Sequence, residues 1–274
     1  MSGVKYSPSN DKNCKTGTSI QDDVNIIAGS ASSVLMDFFD ICDVQESIKK
    51  FAAKGLDIYL DIDAEYFGSD EYDVQDFEKF IDTDPFQVVK GISVSSNNGK
   101  NGLIKLDEES ENVRNILKKK NKNISVGIKK DMYLLKNDVI PELQEIYYSF
   151  KYYNNSLDYI LLSLNMAGSV NSTEIALKTF NENFINLQDL KKPIYLEIIP
   201  GPGKFSNLSF LEVLRELECR QSDRINYFMA DNFGSDSIFK RPYAYNKLKT
   251  LSKNTFACQK HKYIGNWENK SDYQ

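Results

Sequence analysis

The stretch "LDIYLDID" (residues 56–63) decides how the chain is read. It is short, rich in Leu, Ile and Tyr, and apolar at positions that fall on both faces of an extended strand. A strand covered on both sides reads this way when it is parallel and buried. Just before it, "DVQESIKKFAAKG" has helical spacing, with Asp43 as an N-cap and Gly55 as the stop. A helix feeding a two-sided strand is one step of a β/α alternation.

The same step recurs along the chain. Strand-like segments are "GVKY" (3–6), "SVLMDFF" (33–39), "VVKGISV" (88–94), "NISVGI" (123–128), "DYILLSL" (158–164), "PIYLEI" (193–198) and "INYFMA" (225–230). Between them lie helical patterns. "TSIQDDVNIIAG" places Ile20, Val24 and Ile27 at helical spacing, and "DVQDFEKFI", "DEESENVRNILKKK", "IPELQEIYYSF", "STEIALKTFNENF" and "NLSFLEVLRELE" follow, with "AYNKLKTLS" as a last candidate. Eight evenly spaced units predict a single (β/α)8 barrel domain over residues 1–274. A doubly wound open sheet is the competing arrangement, but no Gly-rich phosphate loop follows the first strand.

Composition narrows the function. The chain has 274 residues and a net charge of −5, from 34 basic and 39 acidic side chains. No dense basic stripe suits a nucleic acid, and no apolar run approaches the ~20 residues that span a membrane. The run Lys118–Lys120 closes a predicted helix, where cations suit the dipole. Cys14, Cys42, Cys219 and Cys258 have no metal-type spacing and His261 is the single histidine, so neither a metal nor a cofactor is expected. Met1-Ser2-Gly3 leads straight into a strand without a leader-like segment, which predicts a cytosolic chain or a processed form with an added Met.

In a barrel of this kind, chemistry sits where strands run into their C-terminal loops. Strand three ends "LDIDAEY", where Asp61, Asp63 and Glu65 share one face if the chain stays extended. They form either a catalytic or cation-binding cluster, or a group of which Glu65 and Asp63 already lie in a solvated loop. Strand seven ends "YLEIIPGPG", placing Glu197 inside an apolar strand. It must be solvated at the mouth or paired with Lys or Arg, because a buried lone carboxylate costs several kcal/mol. Strand eight ends "FMADNFG", where Asp231 and Asn232 line a pocket or cap a turn. Strand four ends "VVKGISVSSNNG" (88–99), a polar strand end with no group that titrates near neutral pH.

Several of these segments resemble glycoside hydrolase family 17, in its fungal cell-wall branch. Tyr6-Ser7-Pro8, Cys14-Lys15-Thr16, Cys42 and Lys54-Gly55 fall in register with that branch, and weaker matches continue to "KYIGNW" near the C-terminus. The resemblance implies a (β/α)8 barrel acting on β-1,3-glucan through two glutamates. It implies a nucleophile at Glu197 and an acid/base at the position held here by Asn97. It implies substrate contacts at Tyr6, Phe38, Ser96, Asn232 and Phe233, and a disulfide between Cys14 and Cys42. The expected partner is a β-glucan-type polysaccharide or a protein, and the expected setting is secreted or cell wall. Sequons at Asn123, Asn154, Asn171, Asn207 and Asn269 suit that setting.

The departures are chemical. A retaining glycosidase needs two carboxyl groups about 5–5.5 Å apart. An amide at Asn97 donates no catalytic proton, and general acid–base help is worth ~10²–10⁴-fold. Three readings follow: a silent glucanase-like barrel that binds a glycan or a protein, an active enzyme whose acid/base has moved to Asp61, Asp63 or Glu65, or a non-glycan cytosolic scaffold. "LDIDAEY" also has a partial likeness to the family 18 chitinase signature, but Ile58 replaces its first Asp and the strand number is wrong, so the likeness is read as chance.

Overall fold

The computed structural model describes residues 3–10, 13–39, 42–67, 71–96, 102–133, 157–165, 192–199 and 225–230. Eight strands form a closed barrel: β1 (Gly3–Lys5), β2 (Ser33–Asp37), β3 (Asp57–Asp63), β4 (Val89–Ser95), β5 (Ser125–Tyr133), β6 (Tyr159–Asn165), β7 (Ile194–Ile199) and β8 (Ile225–Ala230). Each pairs in parallel with its neighbours in sequence, and β8 pairs with β1. All eight expected strands are present, and the open sheet is excluded by closure. The described α-helices are α1 (Gly17–Ala28), α2 (Val44–Ala52), α3 (Ala64–Phe67), α4 (Glu71–Ile81) and α5 (Gly102–Lys119), with a 3-10 turn over Asp84–Val88 leading into β4. The four helical patterns expected after residue 133 lie outside the described residues, as do Cys219, Cys258 and His261. The expectation of one domain over 1–274 likewise extends past the last described residue, Ala230.

Local chemistry explains the helix bounds. Thr16 caps α1 by accepting from the Ser19 N–H at 3.3 Å, and Ile20, Val24 and Ile27 are buried along one stripe. Asp43 caps α2 by accepting from the Gln45 N–H at 2.8 Å. The turn after α2 ends at Gly55, whose φ of +77° is costly for residues with a Cβ.

Strand alternation divides the interior from the outer shell. Ile58, Leu60 and Ile62 of β3 belong to the large core between sheet and helices. Leu35, Tyr159, Leu161 and Phe228 pack with Tyr59 and Tyr195 in a separate cluster inside the barrel. The Tyr159 and Tyr195 ring centroids are 4.8 Å apart, and those of Tyr59 and Phe228 are 5.2 Å apart. These rings fit because the neighbouring strands carry glycine beside them. A Cβ on Gly127 would lie 2.7 Å from the Tyr159 ring and 2.7 Å from its carbonyl oxygen. Gly127→Ala is therefore expected to destabilise the barrel by about 1–3 kcal/mol, read as a lower denaturant midpoint at unchanged m. An unchanged midpoint would mean that the aromatic layer can yield.

Candidate functional site

Above the aromatic cluster, the inward position two residues along each odd-numbered strand is charged. These residues are Lys5 on β1, Asp61 on β3, Lys129 on β5 and Glu197 on β7. Alternate strands contribute one layer of a barrel interior. The four side chains thus form one layer whose charge alternates in sign around the barrel. Lys129 Nζ donates to Asp61 Oδ2 at 2.7 Å and lies 2.8 Å from Glu197 Oε2. Lys5 Nζ lies 3.2 Å from Glu197 Oε1 and 3.0 Å from Asp37 Oδ1, at the end of β2. The contacts run as a chain: Asp61, Lys129, Glu197, Lys5, Asp37. Lys129 thus bridges the two buried carboxylates.

Burial makes these contacts matter. Glu197 is 2% exposed and Asp61 4% exposed. Burial pushes the Glu197 carboxyl up, but Lys129 and Lys5 outweigh it and hold the group below the usual Glu value. At Asp61 burial wins: with one lysine in contact and Asp37 nearby, its carboxyl is raised. Burial lowers Lys129, but Asp61 and Glu197 overcome this and hold it well above the ordinary lysine value. Lys5 is also raised, with burial and Lys129 opposed by Glu197 and Asp37. Neither lysine is a neutral amine ready to attack a carbonyl.

A cavity of about 270 Å³ opens above this layer, lined by Lys5, Asp37, Phe39, Asp61, Asp63, Ser95 and Lys129. Glu197 lies beneath it and is not on its wall.

The structure rearranges several expectations from the sequence. Asp61 and Asp63 face the same way, but the strand ends at Asp63 and Glu65 enters α3. The Asp63 carboxylate accepts from the Glu65 N–H at 2.8 Å, fixing that turn, so of the two alternatives it is the one in which Glu65 leaves the strand that the structure favours, and two carboxylates share the face. Tyr6 has no exposed surface to offer a substrate: its hydroxyl donates to Asp23 at 3.2 Å and its ring meets Phe51 edge-on. The Phe38 ring packs against Phe77 and Phe80 of α4, and the neighbouring Phe39 lines the cavity instead. Ser95, rather than Ser96, is on the cavity wall. Asn97, Asn232 and Phe233 lie outside the described residues. Cys14 and Cys42 are disulfide-bonded.

Sequence reading found Asp61 and Glu197 and missed Lys5, Lys129 and Asp37. A signal was present. The odd strands read Gly3-Val4-Lys5, Tyr59-Leu60-Asp61, Gly127-Ile128-Lys129 and Tyr195-Leu196-Glu197. Small-apolar-basic thus alternates with Tyr-Leu-acidic, which pairs glycine with ring in one layer and cation with anion in the next.

No family model matches the sequence, and no curated protein matches it. Solved structures do resemble the fold. An active-site mutant of Rhizomucor miehei β-1,3-glucanosyltransferase in complex with laminaritriose aligns over 86% of this chain and 93% of its own, at 18% identity and a TM-score of 0.62. A family 10 xylanase from Bispora with xylobiose aligns over 91% and 96%, at 11% identity and a TM-score of 0.57. A Bifidobacterium dentium β-glucuronidase aligns over 93% of this chain and 46% of its own, at 10% identity and a TM-score of 0.62. The chain shares the (β/α)8 barrel fold of these enzymes.

Proposed function

We propose that this protein uses a glycosidase-type barrel to bind a β-glucan-type glycan at its mouth without cleaving it. The observation that carries this reading is the double clamp on Glu197 by Lys5 and Lys129. A carboxylate nucleophile must reach the anomeric carbon, and a partner acid must face the leaving oxygen. Glu197 is buried beneath the cavity, and two cations stabilise its charge and so reduce its nucleophilicity. The position that the family-17 resemblance gives to the acid is Asn97, an amide. The fold likeness to a β-1,3-glucanosyltransferase supports the ligand class, and the Cys14–Cys42 bridge supports a secreted or cell-wall setting, because thiols stay reduced in most cytosols.

The test is reducing-sugar release from laminarin, with oligosaccharide binding followed by calorimetry. Binding without turnover is expected, and Glu197→Gln is expected to leave the turnover at background. Hydrolysis that disappears in Glu197→Gln would overturn the reading.

One observation favours an active alternative. Asp61 and Glu197 both touch the Lys129 ammonium, so their oxygens are no farther apart than two ion-pair contacts, near the separation of a retaining pair. Asp61 is also the carboxyl raised by burial, as a general acid must be. That reading requires turnover to vanish in Asp61→Asn as well as in Glu197→Gln. Asp63 and Glu65 have no comparable claim, since Asp63 holds the α3 turn and Glu65 lies beyond it.

A further inference from the structure

Asn123-Ile124-Ser125 is an Asn-x-Ser acceptor sequence whose middle residue is not proline. It is the sequon that falls within the described residues, and it lies between the end of α5 and the start of β5. The backbone there is firmly held. Asn121 stops α5 in the left-handed region, with φ of 54°. Its N–H donates to the Lys118 carbonyl at 3.0 Å, and the Lys122 N–H donates to the Leu117 carbonyl at 2.9 Å. Ile124 then packs against the core between sheet and helices. Alternation along an extended segment turns its neighbours the other way, and Asn123 and Ser125 are both exposed. The acceptor amide and the hydroxyl two residues on thus share one open face. Among the described residues no hydrogen bond engages either side chain.

From this placement we infer that Asn123 carries an N-linked glycan. Asn123 Nδ2 bonds to the anomeric carbon of an oligosaccharide carried on a lipid diphosphate. The carbon–oxygen bond to phosphate breaks, the lipid diphosphate leaves with the electron pair, and one amide proton passes to a base. An oligosaccharyltransferase of the secretory route supplies that donor. The Cys14–Cys42 bridge is the independent observation on compartment, since disulfides persist in the oxidising lumen where such glycans are attached. The site also suits the fold. Strand β5 runs from Ser125 to Lys129 on the cavity wall and beyond, so the glycan leaves the barrel at the end opposite the mouth, about 13 Å along the strand from the charged layer. A bulky, hydrated group there covers the α5–β5 turn and leaves the Asp37–Asp61 cavity open. The inference rests on the secreted setting proposed above, and not on what the mouth binds.

The experiment is peptide mapping of the full chain, secreted from a eukaryotic host behind a cleavable leader, before and after peptide-N-glycosidase. That enzyme leaves an aspartate wherever it removes a glycan. An aspartate at position 123 is expected after release, with Asn123 intact in the same chain made in the bacterial periplasm. Ser125→Ala and Asn123→Gln are each expected to abolish modification at this position, and Ser125→Thr to keep it. Because Asn123 is exposed, the Asn123→Gln variant made in bacteria is expected to keep the native unfolding midpoint, which separates lost modification from misfolding. Unmodified Asn123 in a secreted chain whose Cys14–Cys42 bridge is closed overturns this inference and leaves the secreted setting standing. Unmodified Asn123 with both thiols free overturns both. Calorimetric titration with laminari-oligosaccharides is expected to give the same affinity before and after glycan release. A gain of about tenfold or more on release places the glycan over the mouth and overturns the assignment. Absence of binding in both forms sinks the glycan-binding reading and leaves the modification to stand on the peptide map.

Discussion

Replacing Lys129 with Met is expected to cost about 3–5 kcal/mol of stability at neutral pH, the usual cost of removing one partner from a buried ion pair. Lys129 is the only ammonium in contact with Asp61 among the described residues, and it is one of two on Glu197. Met keeps the length and volume of the stem, so the loss reports charge. For a domain of this size the shift is about 2–4 °C per kcal/mol, or roughly 10 °C in the unfolding midpoint.

The pH dependence separates a charge effect from a packing defect. Asp61 is raised on folding, so its contribution is fully present below its unfolded value of 3.8 and is lost as pH rises through its folded value. Glu197 is lowered on folding, so its contribution is present above its unfolded value of 4.5 and is lost as pH falls through its folded value. The two oppose each other in the native protein. Lys129→Met removes the cation from both, raising Asp61 further and weakening the hold on Glu197. The variant is therefore expected to close most of its gap to the native protein on acidification from pH 7 to pH 4, measured by urea denaturation. The double variant Lys129→Met with Asp61→Leu is expected to recover much of the loss, since well-packed apolar replacements of buried ion pairs are often neutral or better. A gap that stays constant with pH would show that Lys129 is a packing residue and that the alternating layer is not electrostatically coupled.

This coupling also bears on why a barrel would keep such a layer without catalysis. An apolar layer of Leu and Ile would be cheaper in desolvation. The ionic layer instead fixes the orientation of Asp37 and Asp61 on the floor of the cavity, through Lys5 and Lys129. Side chains held by buried partners are pre-organised for a ligand, which lowers the ordering cost of binding. On the glycan-binding proposal, the layer would link the barrel interior to recognition at the mouth.

Most of the fold was legible because it depends on local periodicity. The two-sided run at 56–63, the stripe of Ile20, Val24 and Ile27, and the helix start at Asp43 and stop at Gly55 each follow from a few neighbouring residues. The site was legible only in half. A carboxylate such as Glu197 inside an apolar strand announces itself, because its burial must be explained. Lys5 does not, since a lysine two residues from a strand start reads as a solvated end. What joins Lys5 to Glu197, and Lys129 to Asp61 across 68 residues of chain, is barrel closure and strand stagger. Neither can be read from one segment. Glu65 leaves the shared face because the strand stops at Asp63, whose side chain competes for the backbone and starts a helical turn, a choice between alternatives that the sequence left open.

Breaking the Cys14–Cys42 bridge is the second large effect. The bridge closes a loop spanning 28 residues, so its loss is expected to cost about 3 kcal/mol by the chain-entropy model. Its place in the fold says where the loosening will be felt. Cys14 ends a small hairpin of Ser9–Asn10 with Asn13–Cys14, which follows β1, and Cys42 lies just ahead of α2. The bridge therefore ties together the connections that leave β1 and β2, whose last residues are Lys5 and Asp37. Beside it, Lys15 pairs with Asp23 at 3.0 Å and donates to the Ser7 carbonyl at 3.1 Å, a buried contact that depends on the hairpin staying closed. The Cys14→Ser, Cys42→Ser double variant should therefore lose stability and also bind any ligand of the Asp37–Asp61 cavity more weakly, while the far side of the barrel keeps its hydrogen-exchange protection. Reductant should lower the midpoint of the native protein and leave the double variant where it is, which separates this bridge from the chemistry of Cys219 and Cys258. A double variant within about 0.5 kcal/mol of the native protein would mean that the ion pair at Lys15 closes the hairpin unaided.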